Sequence, residues 1–229
     1  MSTPRLYRMG PGLAAVLVAA ACGGAAKGGV DAAAPAPTPS AAEIEAIFRA
    51  RQDSARMRFT AADVHFMTGM IAHHAQALVM AGLASTNGAS PEIQTLAGRI
   101  INAQNDEIAT MQRWLRDRGQ PVPEVQIEGA EMMLHGVDHA MHMPGMLTPE
   151  QMRELEQAHG AEFDRLFLTY MIQHHRGAIT MVHNLFATDG AAQDEVVFRL
   201  ASDIQVDQVT EVARMERMLS ALAAESGAP

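Results

Sequence analysis

Aromatic residues make up only 4 % of this 229-residue chain, so its 48 % hydrophobic content has to come from aliphatic side chains and methionine. Cysteine occurs once, at Cys22, which rules out an internal disulfide. Strand-like alternation is nearly absent, and the expected domain is all-α with no sheet. No Gly-rich phosphate loop and no nucleophile-base arrangement is visible. Basic residues number 17 against 26 acids, too few and too scattered to displace counterions from a phosphate backbone, so nucleic acid is not an expected partner.

The most apolar stretch, "MGPGLAAVLVAAA", follows Arg5 and Arg8 and runs for about a dozen residues, short for a membrane span and suited to a signal peptide. It ends at Cys22 behind the small residues Ala19 to Ala21. That pattern predicts a signal peptide over 1–21 and lipidation of Cys22, although Ala19 stands where such sites more often have Leu. An ordinary secretory signal with an incidental cysteine is the alternative. From Gly23 to Ser40 the chain is Gly, Ala and Pro with two charges, the composition of a tether, so residues 22–40 read as a lipid anchor and linker. Loss of 1–21, which holds two Arg and no acids, moves the formal charge from −9 to −11. The expected location is the periplasm or cell exterior.

What is abundant is methionine, 17 residues, and histidine, 10. They recur in a pattern. "MIAHHAQALVM" at Met70–Met80 returns as "MIQHHRGAITM" at Met171–Met181, with Met, His, His and Met at matching positions. Apolar residues around each copy repeat at three and four, the period of a helix face. Thr60 with Asp63 marks the start of the first helix, and Ser90 with Pro91 the start of a partner helix that ends near Gly119. The second copy has the same plan, a helix through "FDRLFLTYMIQHHRGAITMVHNLF", a break at "TDG", then "EVVFRLASDIQVDQVTEVARMERML". Gln104, Glu107 and Met111 fall where Gln208, Glu211 and Met215 fall.

Two helix pairs, each with an apolar face to cover, predict a four-helix bundle over 41–225. Repeat one spans about 60–118, the connection 119–160 and repeat two about 161–222. An extra helix precedes the bundle, and Thr148 with Pro149 opens a short helix in the connection.

On a helix Met70 lies one turn before His73 and His74, as Met171 does before His174 and His175, so thioether and imidazole can converge on one ion. Adjacent side chains point about 100° apart, and one His of each pair is expected to face the core with its neighbour at the edge. Thioether with imidazole prefers Cu(I) and accepts Cu(II), whereas Ca(II) and Mg(II) require oxygen ligands. The alternative is a pair of core histidines copied by duplication. In the connection, "MMLHGVDHAMHMPGM" holds Met132, Met133, His135, His139, Met141, His142, Met143 and Met146, and its Gly and Pro content predicts an accessible, flexible segment of exchangeable ligands. It can also be read as a Met-rich flap over the bundle end.

These segments, with "HMPGMLTPEQM", "DVHFMTGMIAHHAQALVM" and "IINAQNDEIATMQRWL", resemble the bacterial family of the domain of unknown function 305 from about Thr60 to Leu222. The resemblance implies a ferritin-like, exported helical bundle, with some members linked to copper binding and copper tolerance. Its motif falls on Met70, His73, His74 and Ala77, and on Met171, His174, His175 and Ala178. His65 and His183 look like additions, and Val182 replaces a common Ala.

The expected function is extracytoplasmic copper sequestration or delivery, with a copper-handling protein or a second copy of the chain as the protein partner. Asp63, Asp164, Glu107 and Glu211 leave open a di-metal redox enzyme, which the lack of Glu-x-x-His in the paired helices weakens. A metal-free interaction module is the third reading. The anchoring expectation has a direct test. Cys22→Ser should release the protein from the membrane fraction, and continued sedimentation with membranes would show that no lipid at Cys22 holds it.

Overall fold

The helices that start at Ala61, Pro91, Pro149 and Glu195 each follow a side chain that satisfies the first free amides, whereas the one that starts at Gly160 follows His159 with no side-chain cap. In the computed structural model, which describes residues 38–56, 58–128, 131–135 and 143–226, α1 spans Ala41–Arg56 and α2 Ala61–Gly82. Thr60 caps α2, its hydroxyl accepting from the Asp63 amide while the Asp63 carboxylate accepts from the Thr60 amide. The helix α3, Pro91–Asp117, starts from Ser90 with proline at its first position. Thr148 and Gln151 form the same reciprocal cap on α4, Pro149–Gln157. After α5, Gly160–Phe186, the last helix α6, Glu195–Ser226, starts from Asp194, whose carboxylate accepts from the amides of Val196 and Val197. Cys22, His139, Met141 and His142 lie outside the described residues.

The expectation of no sheet is wrong in one place. The strands β1, Glu124–Glu128, and β2, Glu131–His135, pair antiparallel with Glu124 opposite His135 and Glu128 opposite Glu131. The cause is a short period-two pattern, Val125 and Ile127 alternating with Glu124, Gln126 and Glu128, in a region read for its Met and His content. Both strands touch α2, and Val125 packs on the core.

The helix α3 packs on α2, α6 on α5, and the pairs meet through α2 and α5. Two apolar clusters result. One joins Ala77–Ala81 of α2, and Leu83 and Ala84 in the turn after it, to Ile93–Ile100 of α3, Phe163–Ile172 of α5, and Val212 and Met215 of α6. The other joins Phe66–Ile71 to Ile108–Leu115, Ala178–Leu185 and Val197–Ile204. The chain direction implied by these groupings makes α2 antiparallel to α3 and to α5. At the far end of the second cluster the Trp114 ring lies under the Arg118 guanidinium, 4.4 Å away, and both side chains hydrogen-bond to buried Asp194. No helix among the described residues is long and apolar enough to cross a membrane.

The segment after β2 returns to the helices as a fitted strap. The Gln76 side chain accepts from the Leu147 amide at 2.7 Å and donates to the Leu147 carbonyl at 3.1 Å. Met143 and Met146 are half-buried, so this part of the connection is docked on the helices and not the loose segment its Gly and Pro content predicts. Contact is closest at Gly177, where a Cβ would stand 2.0 Å from the Pro144 oxygen and 2.6 Å from Gly145 Cα. Gly145 itself has φ of +80°, so the strap cannot easily rearrange around a larger neighbour. Gly177→Ala should therefore destabilise the protein by about 1–3 kcal/mol, read as a lower midpoint in chemical denaturation. An unchanged midpoint would mean that the strap does not hold this position in solution.

Candidate metal centre

Halfway along the long helices the apolar packing is interrupted. His73 and His74 on α2, His174 and His175 on α5, Gln104 on α3 and Gln208 on α6 form a layer between the two clusters, with all four histidines at 0 % exposure. This corrects the expectation that one His of each pair lies at the edge. The 100° between adjacent side chains is real, but α2 and α5 are covered on two sides, so each His meets a different neighbour. His73 and His174 face each other between α2 and α5, ring centres 3.8 Å apart and tilted by 42°. His74 and His175 turn instead to the hairpin partners α3 and α6.

All four rings are held by the same nitrogen. His73 Nε2–H donates to the Pro144 carbonyl and His174 Nε2–H to the His73 carbonyl, each at 2.9 Å. His74 Nε2–H donates to Glu107 Oε2 at 2.6 Å, and His175 Nε2–H to Glu211 Oε2 at 2.7 Å. The Nδ1 atom of every ring is buried without a protein hydrogen-bond partner, as are both amide atoms of Gln104 and the Gln208 oxygen. Among the described residues, one other buried side-chain atom is in that state, Arg118 Nε. An unsatisfied buried polar group costs about 1–3 kcal/mol. Seven in one layer therefore mark a feature that apolar packing does not explain.

Burial, reinforced by His74 beside it, lowers the His73 pKa from 6.5 to about 3. Burial and the facing His73 ring put His174 well below its ordinary value. Both rings are thus neutral, and with Nε2–H donated, Nδ1 presents its lone pair. Outside the layer, Asp207 has its pKa raised by partial burial and by the carboxylates of Glu107 and Glu211, so the side of the layer nearest these acids carries negative potential.

The residues fit a soft metal ion. A metal-binding imidazole generally donates its second N–H to a carbonyl or carboxylate, as all four rings do here. Among the described residues no three His, Cys, Asp or Glu side chains converge to hold an ion by themselves, so thioethers would have to complete the ligand set. Fully buried methionines flank the layer, Met70 and Met111 on one side and Met171 and Met215 on the other. Hard cations find no oxygen cage there.

The expected ligands thus separate into groups. Met70, His73, His74, Met171, His174 and His175 come together in and beside the layer. Met143 and Met146 lie on the strap, and His135 is exposed on β2, apart from the buried layer. Sequence reasoning missed the roles of Glu107 and Glu211, whose shared register was visible, and of Pro144, whose contribution is a backbone carbonyl with no side-chain signature. Asp63 and Asp164, the acids available to a di-metal reading, instead accept from the Ala192 and Ser90 amides.

The layer has a pH consequence. Between pH 6.5 and about 3 the unfolded chain binds a proton at His73 that the folded chain refuses, and His174, lowered by the same burial, acts in the same direction. Their contribution to stability is complete above pH 6.5 and is lost as pH falls, at about 1.4 kcal/mol per pH unit for His73. Denaturation midpoints should drop by a few kcal/mol equivalent from pH 7 to pH 5 and the drop should shrink in His73→Gln/His174→Gln. A parent protein equally stable at both pH values would show that these rings titrate normally.

The family model described as Domain of unknown function (DUF305) matches residues 63–219. A DUF305 protein of Streptomyces coelicolor, assigned as secreted, shares 25 % identity, with 71 % of this chain and 94 % of that one covered and a TM-score of 0.60. A DUF305 fragment from Deinococcus radiodurans shares 31 %, covering 71 % and 97 %, with a TM-score of 0.58. CopM, solved in Cu(I)-bound, Cu(II)-bound, Ag-bound and apo forms, shares 28 %. Its Cu(I) form aligns over 69 % of this chain and 95 % of its own with a TM-score of 0.51. No curated protein sequence matches the chain significantly. The match of the family model across both Met-x-x-His-His segments and the likeness to solved members together show that this chain belongs to the DUF305 family.

Proposed function

We propose that this protein binds copper as Cu(I) in its buried histidine layer, and that it sequesters or delivers the ion outside the cytoplasm. We read the domain as a ferritin-like four-helix bundle of two repeated helix pairs, tethered to a membrane through lipidated Cys22. One observation carries the reading: four buried imidazoles with Nε2–H anchored and Nδ1 unpartnered, between layers of methionine. Neutral imidazole and thioether are the donors that monovalent copper prefers. That CopM was solved with Cu(I), Cu(II) and Ag supports the choice of metal. The Streptomyces relative assigned as secreted, with the basic and apolar start of this chain, supports export.

In this reading the protein's residues do three things. Glu107 and Glu211 fix the orientation of His74 and His175, Pro144 and the His73 backbone fix the other two rings, and the flanking apolar clusters exclude water. A bound Cu(I) would supply the positive charge that unites these donors. The exposed and strap ligands, Met133, His135, Met143 and Met146, serve weaker, exchangeable binding, together with His139, Met141 and His142. The carrier reading is preferred to a di-metal redox enzyme because Asp63 and Asp164 are engaged by backbone amides, and Glu107 and Glu211 by histidines.

A Cu(I) competition titration beside a chemical melt tests it. His74→Gln/His175→Gln should weaken the tightest site at least tenfold, about 1.4 kcal/mol. Substituting Met141, His142, Met143 and Met146 should lower only the number of weakly bound ions. A lower melting midpoint with unchanged Cu(I) affinity in the histidine variant would identify the layer as structural.

A further inference from the structure

Among the corresponding positions at which the two Met-x-x-His-His helices differ is the pair His65 and Leu166. His65 and Met80 on α2 answer to Leu166 and Met181 on α5, since residues of the two segments correspond at a separation of 101, as His73 and His174 do. Because α2 and α5 run antiparallel, the start of each helix lies near the end of the other. At one end this brings Leu166 and Met80 together, and both are buried in an apolar cluster. At the other end the same two positions hold His65, which is exposed, and Met181, which is half-buried.

These two line a surface cleft of about 170 Å3 together with Met143 and Pro144 of the strap, Phe66 and Asn184. Three metal-competent side chains thus come from three separate elements, α2, α5 and the strap. His65 has no hydrogen-bond or ion-pair partner among the described residues, so its imidazole is available. Met143 and Met181 already lie against protein on one side, which limits the ordering that a ligand would impose. The cleft also adjoins the buried layer, because Pro144 lines it and the Pro144 carbonyl holds His73 Nε2–H.

We propose that His65, Met143 and Met181 form a second, solvent-facing site for a monovalent soft metal ion, Cu(I) or Ag(I), separate from the buried histidine layer. One imidazole and two thioethers make a neutral, soft donor set that disfavours hard divalent ions. The site extends the copper reading to the surface but depends on different side chains.

Ag(I), which does not change oxidation state under these conditions, is the probe, added to the purified full chain carrying 13C-methyl methionine. The Met143 and Met181 methyl resonances should shift on titration. His65→Ala should raise the Ag(I) concentration needed for those shifts at least tenfold while leaving the Met70 and Met171 responses as in the parent. Met181→Leu, which keeps the apolar bulk, should abolish the Met143 response. His74→Gln/His175→Gln should leave the cleft response intact, so failure of the buried site does not hide the surface one. Ag(I) shifts at Met70 and Met171 with none at Met143 and Met181 would overturn the proposal, as would a Met143 and Met181 response indifferent to His65→Ala.

Discussion

Placing four imidazoles in the middle of an apolar helix assembly is the constraint around which the remaining contacts are arranged. Each ring needs an acceptor for one N–H, and that acceptor has to come from a neighbour fixed in space. For His74 and His175 the acceptors are Glu107 and Glu211, which sets the register of α3 against α2 and of α6 against α5. For His174 the acceptor is the backbone of the facing helix, which sets α5 against α2. For His73 it is Pro144, so the strap has to lie close, and Gly177 leaves the space for it.

The layer is close to symmetric in its side chains and asymmetric in its surroundings. His174 finds its acceptor in the opposite helix, whereas His73, at the corresponding position, takes one from the strap. Gln76 on α2 secures that strap, and at the corresponding position of α5 Gly177 leaves the room for it to pass. The two histidines that meet between α2 and α5 are thus equally buried but differ in what holds them, a strap carbonyl for His73 and a helix carbonyl for His174.

The helices were legible because their signals are local. Thr60 with Asp63, Ser90 with Pro91 and Thr148 with Pro149 each announce a cap whose geometry depends on residues within one turn. The His and Met positions were legible because they recur. Burial of both members of each His pair was not, since a helical projection gives directions and says nothing of how many neighbours a helix has. The short hairpin was missed because five residues of alternation are a weak signal beside the Met and His content of its second strand. Pro144 could not be foreseen from side-chain chemistry, because its part is played by a carbonyl brought 71 residues along the chain to His73.

Trp114, the chain's one tryptophan, lies under Arg118 with its indole N–H on Asp194, in the apolar cluster at one end of the domain. Its emission therefore reports whether the end of α3 is docked on the start of α6. An optical signal from this residue follows the closing of one helix junction, at the opposite end of its cluster from the histidine layer.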